Sequence, residues 1–309
     1  MNRFPFISVC IPTYIRLNYL KEVYASIKLS NYTHYEILIG IDVQIETGVP
    51  DNAVLAWVKE ITSLDTQCKY FITPKNLGLS NHWNFLVEKA SGEYIMILGD
   101  DDRLLPNTIS ELYEGIVAGA DISFSNHYLI DKDGNRLPDS ESNTKRFNRH
   151  LLQEGVVADI EKYIWLNAVP ISAALIRTDI LKQIGFPADM NTPEIVFFLK
   201  AAQANARFYF SEKYLVEYRV HDGSATSNGL YLEKLFECLQ SFPVSSKNSI
   251  YKHQFLQHII GGAFYRYLKI QQPAKAWKLF FNQYYPKKIN YLLSFGKQLM
   301  TLMSYYIKH

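Results

Sequence analysis

The chain has 309 residues, 48% apolar and 20% charged, a composition that supports a packed core and excludes wholesale disorder. Its three cysteines, Cys10, Cys68 and Cys238, are too widely spaced for a zinc motif or a disulfide framework, and no apolar run has the length of a membrane span. The formal net charge of +2 hides an asymmetry, because residues 230–309 carry ten Lys and one Arg against two Glu, which leaves residues 1–229 with a net −7.

Residues 6–11 are an apolar run closed by Pro12. The run is too short for a secretory signal core, so it reads as a first strand, and a reducing, cytoplasmic location is expected. Leu17, Leu20, Val23, Tyr24 and Ile27 then recur at helical spacing. Residues 36–41 form a second strand. Asp51 caps a helix carrying Val54, Leu55, Val58 and Ile61. Residues 70–73 form a third strand, stopped by Pro74. Ser80 is expected to cap a helix through Ala90. Residues 94–98 are nearly all apolar, as a central parallel strand requires. Pro106 opens a further helix with Ile109, Leu112, Tyr113 and Ile116 inward. This order implies an α/β fold with a mostly parallel central sheet and helices on both faces.

Beyond residue 120 the rhythm changes. Residues 122–130 read as a strand and 131–134 as a tight turn. Residues 135–150 are polar and read as a mobile loop. Thr192-Pro193-Glu194 begins a helix through Ala204. Residues 208–210 and 214–220 are strand-like, and from about 230 the pattern is helical. Two domains are expected, 1–229 and a basic, aromatic-rich helical extension at 230–309.

The chemistry concentrates at Leu98-Gly99-Asp100-Asp101-Asp102. Three adjacent carboxylates at a strand end repel one another, which favours a bound cation. The carboxyl ends of parallel strands are also where open α/β sheets bind ligands. Mg²⁺ and Mn²⁺ take hard oxygen ligands and combine one or two carboxylates with substrate phosphates. The alternative is a solvated acidic turn that caps the next helix. Pro12-Thr13-Tyr14 follows the first strand and offers backbone amides and a hydroxyl to a nucleoside. Asp42 ends the second strand at the same edge, where a carboxylate accepts from a base or a ribose.

Four segments carry a resemblance over residues 5–227. They are Val9-Cys10-Ile11-Pro12-Thr13-Tyr14, Asn76-Leu77-Gly78-Leu79-Ser80-Asn81-His82-Trp83-Asn84, Ala90 to Asp102 with Pro106, and Tyr218-Arg219-Val220-His221. In order and spacing the chain resembles family 2 glycosyltransferases of the GT-A fold, of the bacterial polysaccharide, O-antigen and capsule kind. The resemblance implies a Rossmann-like GT-A domain with a C-terminal helical extension. It implies transfer of a sugar from a nucleotide-diphosphate sugar, with UDP the first choice, to a saccharide or lipid-linked saccharide. It also implies a divalent metal and inversion at the anomeric carbon.

Position by position, Pro12, Thr13 and Tyr14 match the nucleotide-binding turn, Asp42 the base-contacting acid, and Asn76 and Gly78 a loop near the nucleotide. Asp100 matches the ribose position. Asp101, with Asp102 and His221, matches the metal and diphosphate positions. Glu194 falls where the family places its catalytic base, with Asp189 the next candidate. Read without the resemblance, Glu194 serves the helix dipole equally well. The chain departs from the family pattern in Asp42-Val43-Gln44, where a second acid is usual, in Gly99, and in Pro193-Glu194, where an acidic pair is usual.

Arg219 is expected either to neutralise diphosphate charge or to be a surface cation, and Trp83 to pack in the core. Ile289, Leu292, Leu293, Leu299, Met300, Met303, Tyr306 and Ile307 recur at helical spacing beside Lys287, Lys288, Lys297 and Lys308. Such a helix lies on an anionic membrane surface or docks on protein. No nucleic-acid partner is expected. Two alternatives stay open. One is a non-catalytic nucleotide-sugar-binding scaffold. The other is a sugar nucleotidyltransferase, which wants a Gly-rich phosphate loop where this chain has Pro12-Thr13-Tyr14-Ile15.

Overall fold

The computed structural model describes residues 4–139, 142–221, 232–270, 272–285, 300 and 303–304. The chain divides into two compact units, Met1–Ser227 and Asn228–His309. In chain order the first unit runs β1 (Ile7–Thr13), α1 (Leu17–Lys28), β2 (Tyr35–Ile41), α2 (Asn52–Leu64), β3 (Cys68–Ile72), α3 (Gly78–Lys89), β4 (Tyr94–Ile97) and β5 (Arg103–Leu104). It continues through α4 (Thr108–Val117), β6 (Ile122–Ile130), α5 (Asn143–Arg146), β7 (Gly155–Val156), α6 (Ile160–Trp165), β8 (Ala174–Arg177), α7 (Thr178–Ile184), α8 (Pro193–Gln203) and β9 (Phe208–Arg219). Among the described residues the nine strands join one sheet in the order β3-β2-β1-β4-β8-β6-β9-β5, with β7 on β9. The pairs β3-β2, β2-β1, β1-β4 and β6-β9 are parallel, while β8, β5 and β7 pair antiparallel with their neighbours.

Strand alternation separates two buried faces. Ile7, Val9 and Ile11 of β1, Ile37, Ile39 and Ile41 of β2, and Met96 and Leu98 meet Leu20, Val23 and Ile27 of α1, Val54 and Val58 of α2, and Ile109 and Leu112 of α4. Each such fully buried side chain contributes roughly 1.5–3 kcal/mol of transfer free energy. On the other face α3 lies hard against β2 at Gly40. A Cβ there would stand 2.5 Å from His82 Nε2 and 2.9 Å from Leu86, so only glycine permits the approach. Trp83 is buried and packs edge-on against Phe186, with ring centroids 5.1 Å apart.

Four details differ from the sequence reading. Pro12 does not close β1, which pairs with β2 through Thr13. Ser80 does not cap α3, which starts two residues earlier at Gly78; its hydroxyl accepts from Met190 N–H at 3.1 Å instead. The polar stretch 135–150 is not a plain loop among its described residues. It holds α5 and a 3₁₀ turn at Arg149–Leu151, and Arg149 is fully buried under it. There the guanidinium donates to Asn126 Oδ1 at 3.1 Å and Ala168 O at 3.4 Å and faces the His127 ring. Burial, with Arg149 alongside, holds His127 well below the ordinary imidazole range. The two strand-like pieces 208–210 and 214–220 are one strand, β9, whose pairing with β6 shifts register around Asn126.

The second unit contains α9 (Leu232–Gln240), α10 (Ser249–Lys269) and α11 (Pro273–Phe280). Phe264, Phe280 and Tyr285 form a mutual cluster with centroids 4.9–6.0 Å apart. Lys252 is buried and donates to the carbonyls of Gln240 and Phe242, which close the end of α9. The amphipathic pattern read at 289–307 lies outside the described residues except for Met300 and Met303. Among the described residues no helix is long and apolar enough to cross a membrane.

Candidate active site

The parallel register brings three strand ends together. Thr13 pairs with Ile41 at the last position of β1 and β2, and Asp42 N–H continues the ladder onto Thr13 O at 2.9 Å. Leu98 N–H donates to Cys10 O at 3.0 Å, so the acidic triplet leaves β4 beside the β1–α1 turn. Thr13 Oγ1 then donates to Asp100 Oδ2 at 2.8 Å. Arg16, on the turn before α1, places Nη1 2.9 Å from Asp100 Oδ1 and 2.7 Å from Asp101 Oδ2. From the end of β9, His221 Nε2 reaches the same Asp101 Oδ2 at 2.9 Å. Residues 13, 16, 100, 101 and 221 therefore form one cluster at the carboxyl edge of the sheet.

The three aspartates have unequal surroundings. Burial pushes the Asp100 carboxyl up to about 6; Arg16 opposes this and Asp101 adds to it. Asp102 turns inward and accepts from Arg219 N–H at 3.0 Å, and burial with the neighbouring Asp101 charge holds it well above the ordinary range. Asp101 is the member that Arg16 and His221 both address. Among the described residues no group of three His, Cys, Asp or Glu side chains is arranged to hold a metal ion. Of the expected set of Asp101, Asp102 and His221, Asp101 meets His221 directly, while Asp102 gives one oxygen, Oδ1, to the β9 backbone.

Arg219 is not a surface cation. Its side chain has 0% exposure and donates to Glu22 Oε2 at 2.6 Å, Asp101 O at 2.7 Å and Lys132 O at 3.1 Å. Its guanidinium stacks 4.4 Å from the Tyr19 ring centroid, and Tyr19 in turn meets the His221 ring at 5.4 Å. Arg219 thereby fixes the backbone of the triplet and the approach of His221.

Asp42 is buried and holds the 73–78 loop. Thr73 Oγ1 donates at 2.6 Å, Leu77 N–H at 3.0 and 3.1 Å to its two oxygens, and Gly78 N–H at 3.2 Å. These three donors leave about one of the roughly four acceptor sites of the carboxylate for a base. Asn76 Nδ2 donates to Val43 O at 2.6 Å, and Gly78 opens α3 at φ +66°, a conformation that favours glycine. Tyr14 OH accepts from Ile45 N–H at 3.3 Å, and Pro12 is half-buried on β1.

Glu194 stands in the first turn of α8 behind Pro193. The segment before it is anchored to the start of α3, through Met190 on Ser80 and through Asn81 Nδ2 on Asp189 Oδ1 at 3.1 Å. The residue as a whole is half-buried, yet its Oε2 has no solvent contact and no hydrogen-bond partner. Burial pushes its carboxyl up to about 7. A buried carboxyl with one oxygen unpartnered and poised near neutrality has the pKa a general base needs.

Sequence reasoning assigned no role to Arg16. The one available signal was its place three residues beyond Thr13, at the turn facing the triplet. Glu22 and Tyr19 gave no signal, since they read as ordinary positions on α1.

The fold and the cluster define a GT-A-type α/β domain with an acidic centre at the strand ends. The sequence profile of Glycosyl transferase family 2 matches residues 8–185, more than half of the chain. The chain belongs to that family and is a glycosyltransferase. Glu194 and His221 lie beyond the matched segment. An uncharacterized glycosyltransferase of Methanocaldococcus jannaschii is 24% identical over 238 residues, 75% of this chain and 77% of that protein. The chain spans only 21–24% of the length of three Rickettsia relatives. Staphylococcus aureus TarS 1–349, solved with UDP-GlcNAc, superposes with a TM-score of 0.65 at 17% identity, over 97% of this chain and 89% of that one. A Pyrobaculum calidifontis mannosyltransferase, solved with GDP-Man and Mn²⁺, gives 0.62 at 14% identity, over 99% and 87%.

Proposed function

We propose that this glycosyltransferase moves a sugar from a nucleotide-diphosphate sugar, a UDP-sugar first, to a saccharide or lipid-linked saccharide, with metal assistance and inversion. The observation that carries the reading is the convergence of Thr13, Arg16, Asp100, Asp101 and His221 at the strand ends. UDP-GlcNAc on TarS and GDP-Man with Mn²⁺ on the mannosyltransferase support a nucleotide sugar and a divalent ion. Pro12, Thr13, Tyr14, Asn76, Gly78 and Asp100 would face the nucleoside, with Asp42 supporting the loop beside it. Asp101 and His221 would hold a divalent ion whose remaining positions belong to diphosphate and water, which suits Mg²⁺ or Mn²⁺. When bound, that ion neutralises charge on the leaving diphosphate.

Glu194 would take the proton of the acceptor hydroxyl. A base must be deprotonated to act, so turnover should fall on acidification through about pH 7 and level off above it. The basic, aromatic C-terminal unit would give peripheral contact with an anionic membrane, with Trp277 and Phe281 exposed and their tilted rings 4.9 Å apart.

A donor screen reading released nucleoside diphosphate, with and without Mn²⁺, tests the reading. Glu194→Gln should keep donor binding and lower kcat on the order of 10²–10⁴-fold. Unchanged turnover in that variant would move the base elsewhere, Asp189 first. Absence of donor turnover with any nucleotide sugar would favour the binding scaffold.

A further inference from the structure

Arg16 sits on one of the two carboxylate oxygens with which Asp101 would hold the proposed cation, the one that His221 also reaches. Its Nη1 bridges Asp100 Oδ1 and Asp101 Oδ2 at 2.9 and 2.7 Å, and His221 Nε2 lies 2.9 Å from that same Asp101 oxygen. One carboxylate oxygen therefore already receives two nitrogens. A divalent ion bonded to it at about 2.1 Å would share the oxygen with a guanidinium. Two cations that close repel strongly at low effective dielectric. The arginine side chain is 27% exposed against 8% and 15% for the two carboxylates. It stands on the turn between β1 and α1, so a rotamer change carries the guanidinium away without moving either element.

We propose that Arg16 is an internal counter-cation. It neutralises Asp100 and Asp101 before the donor arrives and competes with the divalent ion for Asp101. The ion then binds well only together with a diphosphate, which draws the guanidinium off the carboxylates and onto its own oxygens. The consequence is coupling between metal and donor: each tightens the other by the same factor. The inference rests on Asp101 being the metal ligand, as proposed above.

The experiment measures Mn²⁺ binding to the full chain by electron paramagnetic resonance of the free ion, with and without UDP. It compares wild type with Arg16→Met, Arg16→Lys and Asp101→Asn. Wild type should bind Mn²⁺ weakly alone and more tightly with UDP. Arg16→Met should bind Mn²⁺ alone about tenfold or more tighter than wild type, and its affinity should depend less on UDP. Arg16→Lys keeps the charge and should stay near wild type.

Thermal midpoints give a second readout that also reports folding. Arg16→Met should melt lower in chelator and recover with Mn²⁺, while wild type changes little. Equal Mn²⁺ affinity in wild type and Arg16→Met, with binding lost in Asp101→Asn, overturns the role of Arg16 and leaves the metal at Asp101. Undiminished binding in Asp101→Asn overturns the metal assignment and the role of Arg16 together.

Discussion

The same three strands carry a buried carboxylate site at each end, and the two sites are built in opposite ways. At the amino end, Glu36 of β2 is buried but fully served. Ser8 Oγ donates at 2.7 Å, Ser91 Oγ at 2.6 Å, Ser91 N–H at 2.9 Å and Lys69 Nζ at 2.9 Å. Burial alone would raise its pKa, but the hydrogen bonds from Ser91, Lys69 and Ser8 outweigh burial and hold it below the ordinary range. At the carboxyl end, Asp100 is also buried and bonded, yet it shares Arg16 with Asp101 and is pushed up to about 6. One end invests its donors in a single permanent charge. The other crowds charges that its own donors do not balance. A carboxylate that the fold fully satisfies serves stability, whereas a crowded group with raised pKa marks a place where a ligand completes the site.

The largest effect that sharpens this contrast is at Asp101. Asp101→Asn should lower sugar transfer by about 10²–10³-fold, the loss typical of removing one electrostatic stabiliser of the developing charge. Its fold, read by circular dichroism and thermal melting, should persist. Wild-type turnover in this variant would erase the functional reading of the carboxyl end.

At the opposite end the expectation inverts: Glu36→Gln should leave kcat alone and cost roughly 2–3 kcal/mol of stability, because charge-assisted bonds from Ser8, Ser91 and Lys69 are weakened together. The sign with pH follows from the lowered pKa. The stabilisation is present above the unfolded carboxyl pKa and is lost as pH falls through the folded one. Denaturant melts between pH 7 and pH 3 should therefore converge for wild type and Glu36→Gln. A constant gap across that range would show that packing, not charge, is what Glu36 supplies.

How much of this was legible in the sequence follows the same division. In the parallel half the strands are apolar runs and β1, β2 and β3 are each followed by a helix of clear period, so β1 to β4 and the placing of Thr13, Asp42 and Asp100 at one sheet edge could be read off. The antiparallel half hid more. β8 is four residues long, β5 and β7 two each, and none is long enough to show an alternation. Arg149 looked like a loop residue because its acceptors, Asn126 Oδ1 and Ala168 O, come from distant segments. Arg16 and Arg219 were visible as charges, but their partners are set by tertiary geometry, 84 and 197 residues away for Asp100 and Glu22. Sequence pattern reports which face of an element is buried; it does not report which donor a buried carboxylate takes.

The smallest predicted effect carries the comparison to Glu194. A group whose folded pKa is raised above its unfolded value binds its proton more tightly when folded, so stability is highest at low pH. That stability declines as pH rises from about 4.5, the ordinary glutamate value, through about 7. This is the reverse of Glu36. Glu194→Gln keeps the shape without the ionisation, so it should be neutral near pH 4 and more stable than wild type at pH 8. The gain should be about 1–2 kcal/mol, less than the full shift implies because the residue is only half-buried. Chemical denaturation at the two pH values measures it. A variant that loses both turnover and stability at pH 8 would place Glu194 with Glu36 among the structural acids. One that loses turnover while gaining stability has the trade-off expected of a charge kept for chemistry.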